Sequence, residues 1–176
     1  MRRLGRELGV EAMSLYGHIA NKQDLLDGVV DCVYAELPSS GADPGPWPER
    51  LRTTACEFRQ VLLRHPNVVG LVASRPVSSQ GGLELIESAL IGLRDAGLDI
   101  AQASQALSVI VGFAIGHVAN QIGSGSPEAD VDWDQFPNVI EWADLDVDPD
   151  AEFDLGLDVI LAGVTHLLEP GPSLAR

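Results

Sequence analysis

Three observations predict an all-α fold, a small N-terminal module joined to a larger helical body. Apolar residues make up 45% of the chain but aromatics only 5%, so any core must be built from Leu, Val, Ile and Ala. These residues recur at three- and four-residue spacing and seldom alternate one by one, which is the period of helices rather than strands. Glycines and prolines stand between the apolar stretches, where helices end and begin. At 176 residues the chain is long enough for a module of a few dozen residues plus one sizeable core.

The first element begins at Arg2 and carries Arg3, Leu4, Arg6 and Leu8. Gly9 supplies the positive φ that ends one helix and allows the next to start, the turn of a helix-turn-helix. The helix that follows puts Leu15 and Ile19 on its buried side, with Ala12, Met13, Tyr16 and Gly17 on the other. Asn21 is placed to cap a helix over Lys22–Glu36, whose first turn holds Asp24. Between Pro38 and Pro46, prolines and glycines rule out a continuous helix. Trp47-Pro48-Glu49 then opens a helix that runs to about His65, before Pro66, with Leu51, Ala55, Phe58, Val61 and Leu62 in one stripe. A short apolar segment at Val68–Ala73 breaks at Arg75-Pro76. Ser79 or Gln80 leads into a helix reaching Arg94, with Leu83, Ile86, Leu90 and Leu93 on one face, and Gly97 closes it. Asp99 caps the longest helix, Ile100–Ile122. Ser104, Ser108, Gly112, Gly116 and Asn120 line one edge of that helix, a row that lets another helix approach closely. Residues 123–150 are acidic and loop-like, apart from a short helix at Pro137–Ala143. The final helix, Ala151–Leu168, carries Phe153, Leu157, Ile160, Leu161, Val164 and Leu168, and Leu155, Val159 and Ala162 widen its apolar surface.

Two strongly apolar helices, 100–122 and 151–168, look like half of a four-helix bundle completed by a second copy of the chain. The alternative is a core formed within one chain.

Residues 8–26 carry a specific resemblance. Leu8, Gly9, Val10, Leu15, Tyr16, His18, Asn21, Lys22, Leu25 and Leu26 stand in register with the signature of the TetR family of transcriptional repressors. The segment Phe153–Gly163 is similar to the closing helix of that family's tetracycline-repressor-like C-terminal branch. The family's DNA-binding domain has three helices, and this chain opens directly in the second. The resemblance therefore implies a partial DNA-binding domain at 1–36 and an effector-binding and dimerisation domain at 47–169.

For DNA contacts, the resemblance carries base-edge roles onto Ala12, Met13 and Tyr16, and a guanine-reading role onto Arg2. Phosphate contacts fall on Ser14, Tyr16, His18 and Lys22. Gly17 replaces a larger residue, which removes one backbone-facing contact. In the bland alternative Tyr16 and His18 merely cap a hydrophobic minicore. For an effector, the resemblance places a pocket among helices 48–65, 79–95 and 100–122. Its apolar lining would include Phe58, Leu62, Leu90, Ile110 and Phe113, with His117, Gln121, His65 and Arg75 as candidate polar groups. His65 before Pro66 can instead cap carbonyls, and His117 can sit in a dimer interface.

The charge balance is uneven. Residues 1–23 carry Arg2, Arg3, Arg6 and Lys22 against Glu7 and Glu11, whereas the whole chain has a net charge of −15. A local basic face can neutralise phosphates while an acidic body faces away. Cys32 and Cys56, with no signal peptide, point to reduced thiols in the cytoplasm. The run Ala106–Ala119 is too short to span a bilayer. Asp130, Asp132, Asp134 and Glu141 fit a calcium-loop pattern in part, but Gln135 occupies the position of its glycine and Pro137 interrupts it, so a solvated acidic loop is expected. The run Asp144 through Asp154 lacks the closing Glu. No nucleophile elbow, phosphate loop or zinc-ligand spacing is present, so neither an enzyme, a metal nor a cofactor is expected.

The sequence thus predicts a homodimeric, ligand-responsive DNA-binding regulator acting on a palindromic operator as a repressor, with no membrane partner. The alternative is a small-molecule-binding helical dimer that has lost DNA binding because the first family helix is absent.

Overall fold

The computed structural model describes residues 2–38, 45–123 and 131–168, with the side chains of Arg2 and Ala12 outside the description. Helix α1 (Arg2–Leu8) ends where Gly9 takes φ +68°. The N–H groups of Gly9 and Val10 then return to the carbonyls of Arg6 (3.3 Å) and Gly5 (2.9 Å), satisfying two helix-end acceptors. Helix α2 (Ala12–Leu15) is much shorter than the expected reading helix. The chain continues as single turns, with the N–H groups of Gly17 bonded to Ser14 and of both His18 and Ile19 bonded to Leu15. Gly17 is a poor helix former and Ile19 a β-branched one, so a regular helix is not favoured there.

Helix α3 (Lys22–Ala35) starts as expected. The Asn21 side chain accepts from the N–H groups of Gln23 (2.7 Å) and Asp24 (3.1 Å), and Asp24 accepts from the Ala20 N–H (2.8 Å). Helix α4 (Trp47–Arg64) has Pro48 in its first turn and buries Leu51, Ala55, Phe58, Arg59, Val61 and Leu62. A 3₁₀ turn at Pro66–Val68 leads into α5 (Val69–Ser74). Helix α6 (Gln80–Asp95) is capped by Ser79 and closed by Gly97 at φ +114°. Leu90 and Leu93 of the expected face pack inward, joined by Leu85 and Ala89, but Leu83 is 51% exposed. Gly82 lets the preceding segment come close, with Val77 Cγ1 filling the space its Cβ would need.

Helix α7 (Ile100–Ile122) opens with a reciprocal capping box between Asp99 and Gln102. By length and composition alone α7 is apolar enough to cross a membrane. Here it is the central helix of the fold, packed against α4, α5, α6 and, behind them, α9 (Pro149–Leu168). Ala103, Ala106, Ile110, Ala114, His117 and Val118 are its buried stripe. The row Ser104, Ser108, Gly112, Gly116 and Asn120 is uncovered, and a Cβ on Gly112 or Gly116 would touch nothing. Helix α8 (Pro137–Ala143) stands out with every residue exposed. Helix α9 buries Phe153, Leu157, Leu161 and Val164 and leaves Leu155 and Val159 in solvent.

Polar groups fix α9 on α4 and α7. Arg59, almost wholly buried, donates to Asp150 (2.6 Å) and Gln121 (3.1 Å), with its guanidinium 5.0 Å above the Phe153 ring. Arg52 reaches Asp154 (3.7 Å) and pairs with Asp158. The His117 ring sits edge-on to Phe153, and Glu152 Oε2 is 3.5 Å from its Nε2, beyond a good hydrogen bond. Phe113 stacks on Phe153 with centroids 5.1 Å apart.

Gly156 faces that stack, and a Cβ there would lie 2.2 Å from Phe113. Gly156→Ala is expected to lower the unfolding free energy in urea by about 1–3 kcal/mol, the usual cost of overpacking. A second expectation concerns pH. Burial first, and then the Arg59 charge, push the His117 imidazole below its usual pKa, while Glu152 pulls it back only in part. The folded protein therefore keeps this ring neutral, and below about pH 6.5 the unfolded chain takes up a proton that the folded chain refuses. Stability supplied by the neutral ring is full above that pH and drains as pH falls through it. Urea titrations between pH 7.5 and 5.5 should show this decline, and His117→Phe should flatten it.

Candidate ligand cavity and nucleic-acid interface

The N-terminal module presents a polar, accessible surface. Met13 is 76% exposed and Tyr16 48%, and Ser14, Gly17, His18 and Lys22 are exposed beside them. These six candidate DNA contacts lie together on α2, the turns after it and the first residue of α3. Of Arg2 and Ala12, only the backbone positions on α1 and α2 are described.

A cavity of about 500 Å³ opens between α3, α4, α5, α6 and α7. Its wall is mainly apolar, including Phe58 and Ala55 from α4, Ile86 and Leu90 from α6, and Leu107, Ile110, Val111 and Ile115 from α7. Polar groups enter from Tyr34, Thr54, Arg75, Ser104 and Ser108. Burial raises the pKa of the Tyr34 hydroxyl, so it remains a hydrogen-bond donor across the neutral range. A largely apolar cleft with a few placed polar groups is the ordinary form of a small-molecule site, and this volume lies within the usual range.

The cavity brings together three of the eight candidate ligand residues, Phe58, Leu90 and Ile110. The other five stand elsewhere. Leu62 is fully buried in the core, while Phe113 and His117 face α9 across the helix from the cavity. Gln121 accepts from Arg59 on that same side. His65 bonds Glu36 at 2.7 Å, next to Arg64 at 3.0 Å, and the two side chains hold the Glu36 carboxyl below its usual pKa. Arg75, by contrast, lines the cavity as expected. Sequence reasoning missed Tyr34 of α3 and Leu37 just after it. The signal available was that both lie one turn apart at the end of an apolar helix. Among the described residues no group of three or more His, Cys, Asp or Glu side chains could hold a metal. Asp130 of the calcium-loop pattern lies outside the described residues, and Asp132 is engaged by Gln135 at 2.9 Å.

Helix α3 joins the two surfaces. Its first turn adjoins the turns after α2, and Tyr34 near its end lines the cavity. It is also tied to the segment between α5 and α6. Arg75 donates to the Asp27 carboxylate, to the Gln23 side chain and, at 3.5 Å, to the Gln23 carbonyl. Asp31, one turn further along, accepts from the Ser79 N–H (2.9 Å) and the Ser78 hydroxyl (3.3 Å).

Comparison with known proteins agrees with this layout. Residues 37–168 match the family described as tetracyclin repressor-like, C-terminal domain. The chain is 32% identical to the tetracycline repressor protein class C of Escherichia coli, over 94% of this chain and 81% of that protein. It is also 32% identical to the HTH-type transcriptional repressor DrrR1 of Streptomyces coeruleorubidus over 69% of this chain, which spans 46% of that relative. Among solved structures, the TetR family protein ActR of Streptomyces coelicolor in complex with actinorhodin superposes with a TM-score of 0.80. The match has 27% identity and covers 97% of this chain and 88% of that one. A TetR variant of Acinetobacter baumannii in complex with minocycline gives 0.72, at 25% identity and with 96% and 86% covered.

Proposed function

The chain belongs to the TetR family of transcriptional regulators, and from that premise we propose that it is a ligand-responsive DNA-binding repressor acting as a homodimer. The observation that carries the reading is the position of α3, which abuts the reading surface at one end and walls the cavity at the other. Residues 1–36 read DNA, and residues 47–169 bind the effector and dimerise. Met13 and Tyr16 meet base edges, while Ser14, His18 and Lys22 hold phosphates, which position the module without reading sequence. Arg2 and Ala12 complete the contact set that the family resemblance suggests, and Gly17 lies among them without the larger side chain usual there.

The partner is a second copy. Val109 and Gly116 on α7 and Leu155 and Val159 on α9 form uncovered apolar or small-residue faces of two adjacent helices. Burying those faces against their twofold equivalents makes a four-helix bundle, and the small residues allow close approach. Such a dimer must hold its reading surfaces about one duplex turn apart, roughly 34–36 Å. An effector that binds better when α3 is tilted moves the population away from that spacing and releases the operator. The neighbours bound to actinorhodin and minocycline support an organic effector for a cavity of this size. A DNA-binding role places the protein in the cytoplasm and gives no reason to assign it enzymatic turnover. A ligand-binding dimer without DNA binding is disfavoured, because the relatives are repressors and Tyr16, His18 and Lys22 are all exposed together.

Fluorescence anisotropy of the full chain on DNA fragments flanking its own gene, at stated salt, tests the reading. One fragment should bind saturably and be competed by itself far better than by unrelated duplex. Absence of any such fragment would overturn the DNA-binding role. Tyr16→Ala should weaken that complex at least about tenfold, roughly 1.4 kcal/mol, without changing the dimer seen by light scattering. Val159→Glu, with a charge on the proposed bundle face, should yield monomers and lose operator binding with them.

A further inference from the structure

Of the residues that line the cavity, one is charged, Arg75. Its side chain is only 17% exposed, and its three hydrogen bonds all run to a single helix, α3. Asp27 supplies the counter-charge from a more open position, at 40% exposure. Arg75 lines the cavity while its guanidinium nitrogens turn to Gln23 and Asp27 of α3, and a guanidinium so little exposed has to keep an anion close, since leaving it unpaired is costly. The N–H groups now given to Asp27 and Gln23 can donate instead to a carboxylate or sulfonate with similar geometry. Asp27 on α3 and a ligand anion in the cavity are thus alternative partners for one cation.

We propose that the effector of this cavity is an apolar molecule bearing one anionic oxygen group, and that this group takes Arg75 from Asp27 and so frees α3. The inference rests on the cavity being the effector site and adds the chemistry of the ligand and the event it triggers. A neutral molecule of the same shape fills the apolar space but leaves the Arg75–Asp27 pair in place, so it binds without a signal. Among the described residues no other cation lines the cavity. The charge of an entering anion is therefore compensated at Arg75, and that engagement is the differential contact a population shift requires. Loss of the Arg75 bonds leaves the neighbouring Asp31–Ser78–Ser79 contacts as the remaining polar tie between α3 and this segment.

Two fluorescent probes separate the cases. 8-Anilinonaphthalene-1-sulfonate is anionic, and N-phenyl-1-naphthylamine is the same skeleton without the sulfonate. Both should bind the full-length protein, and each should displace the other. Arg75→Gln should weaken the sulfonate at least tenfold and the neutral dye less than twofold. Asp27→Asn, which keeps Arg75 but removes its competitor, should instead tighten the sulfonate about threefold or more. Hydrogen exchange over Lys22–Ala35 should accelerate at least threefold with saturating sulfonate and stay unchanged with the neutral dye. If both dyes bind but respond alike to Arg75→Gln, or if the sulfonate leaves exchange in α3 unchanged, the proposal is wrong and the cavity reading survives. If neither dye binds, or the two do not compete, the cavity is not the effector site and both readings fall.

Discussion

A 23-residue helix with apolar side chains on every side cannot stand in water, and the architecture follows from how α7 is covered. One flank is sealed by α9 through Phe113, Val118, Phe153 and Leu157, all packed in the core. A second flank meets α4 and α6 but is not filled, and the space left between them is the cavity. The third, with Val109, Gly116 and Asn120, stays open. One helix therefore supplies the core, the ligand wall and a face that needs another chain. A change on any flank is felt on the others because they share one backbone. Gly156 shows how tight the sealed flank is, with the Phe113 ring occupying the room that its side chain would take.

Helix boundaries were legible because they rest on local chemistry. Asn21, Asp99 with Gln102, Gly9 and Gly97 act on atoms within four residues, and each does in three dimensions what its residue type suggests. What periodicity could not supply was rotation. Leu83 and Leu85 both fit a helical stripe on α6, and only packing from outside the helix, where Val77 closes on Gly82, distinguishes them. The short α2 has a similar cause. The pattern of Leu15 and Ile19 fits a full helix, yet Gly17 and the cap at Asn21 limit what can form between them.

The candidate site was legible to the same depth. Phe58, Leu90 and Ile110 were accessible to sequence reasoning because they are apolar positions on the right helices. His117 and Gln121 lie on a helix that contributes to the cavity, but on the flank facing α9, and nothing in a one-dimensional stripe distinguishes two buried faces of one helix. Arg75 stood out as a basic residue at a break between helices. Its partners Gln23 and Asp27 did not, since they lie 52 and 48 residues away and only the packing of α3 on that break brings them together.

The tie between α3 and the cavity wall also has a magnitude problem, and solving it says where the rest of the coupling resides. Asp27 is 40% exposed, so the Arg75 pair belongs with partly solvated ion pairs, worth on the order of 1 kcal/mol. Moving a two-state equilibrium from one extreme to the other needs roughly 5.5 kcal/mol of differential binding. One ion pair cannot supply that. A twofold dimer doubles the contribution if both reading surfaces must be correctly spaced at once, but a gap remains. The remainder has to come from packing that changes when α3 and the 75–79 segment separate. Val77 is wedged against Gly82, the position Tyr34 also approaches, and Tyr34 stacks on Phe58 in the cavity wall with centroids 5.8 Å apart. Loosening the segment exposes these apolar contacts as well as breaking the ion pair, and each methylene uncovered is worth about 0.8 kcal/mol. The polar tie therefore selects which ligand is sensed, by charge, whereas the apolar wedge beneath it sets how much free energy the ligand can redirect into the movement of α3.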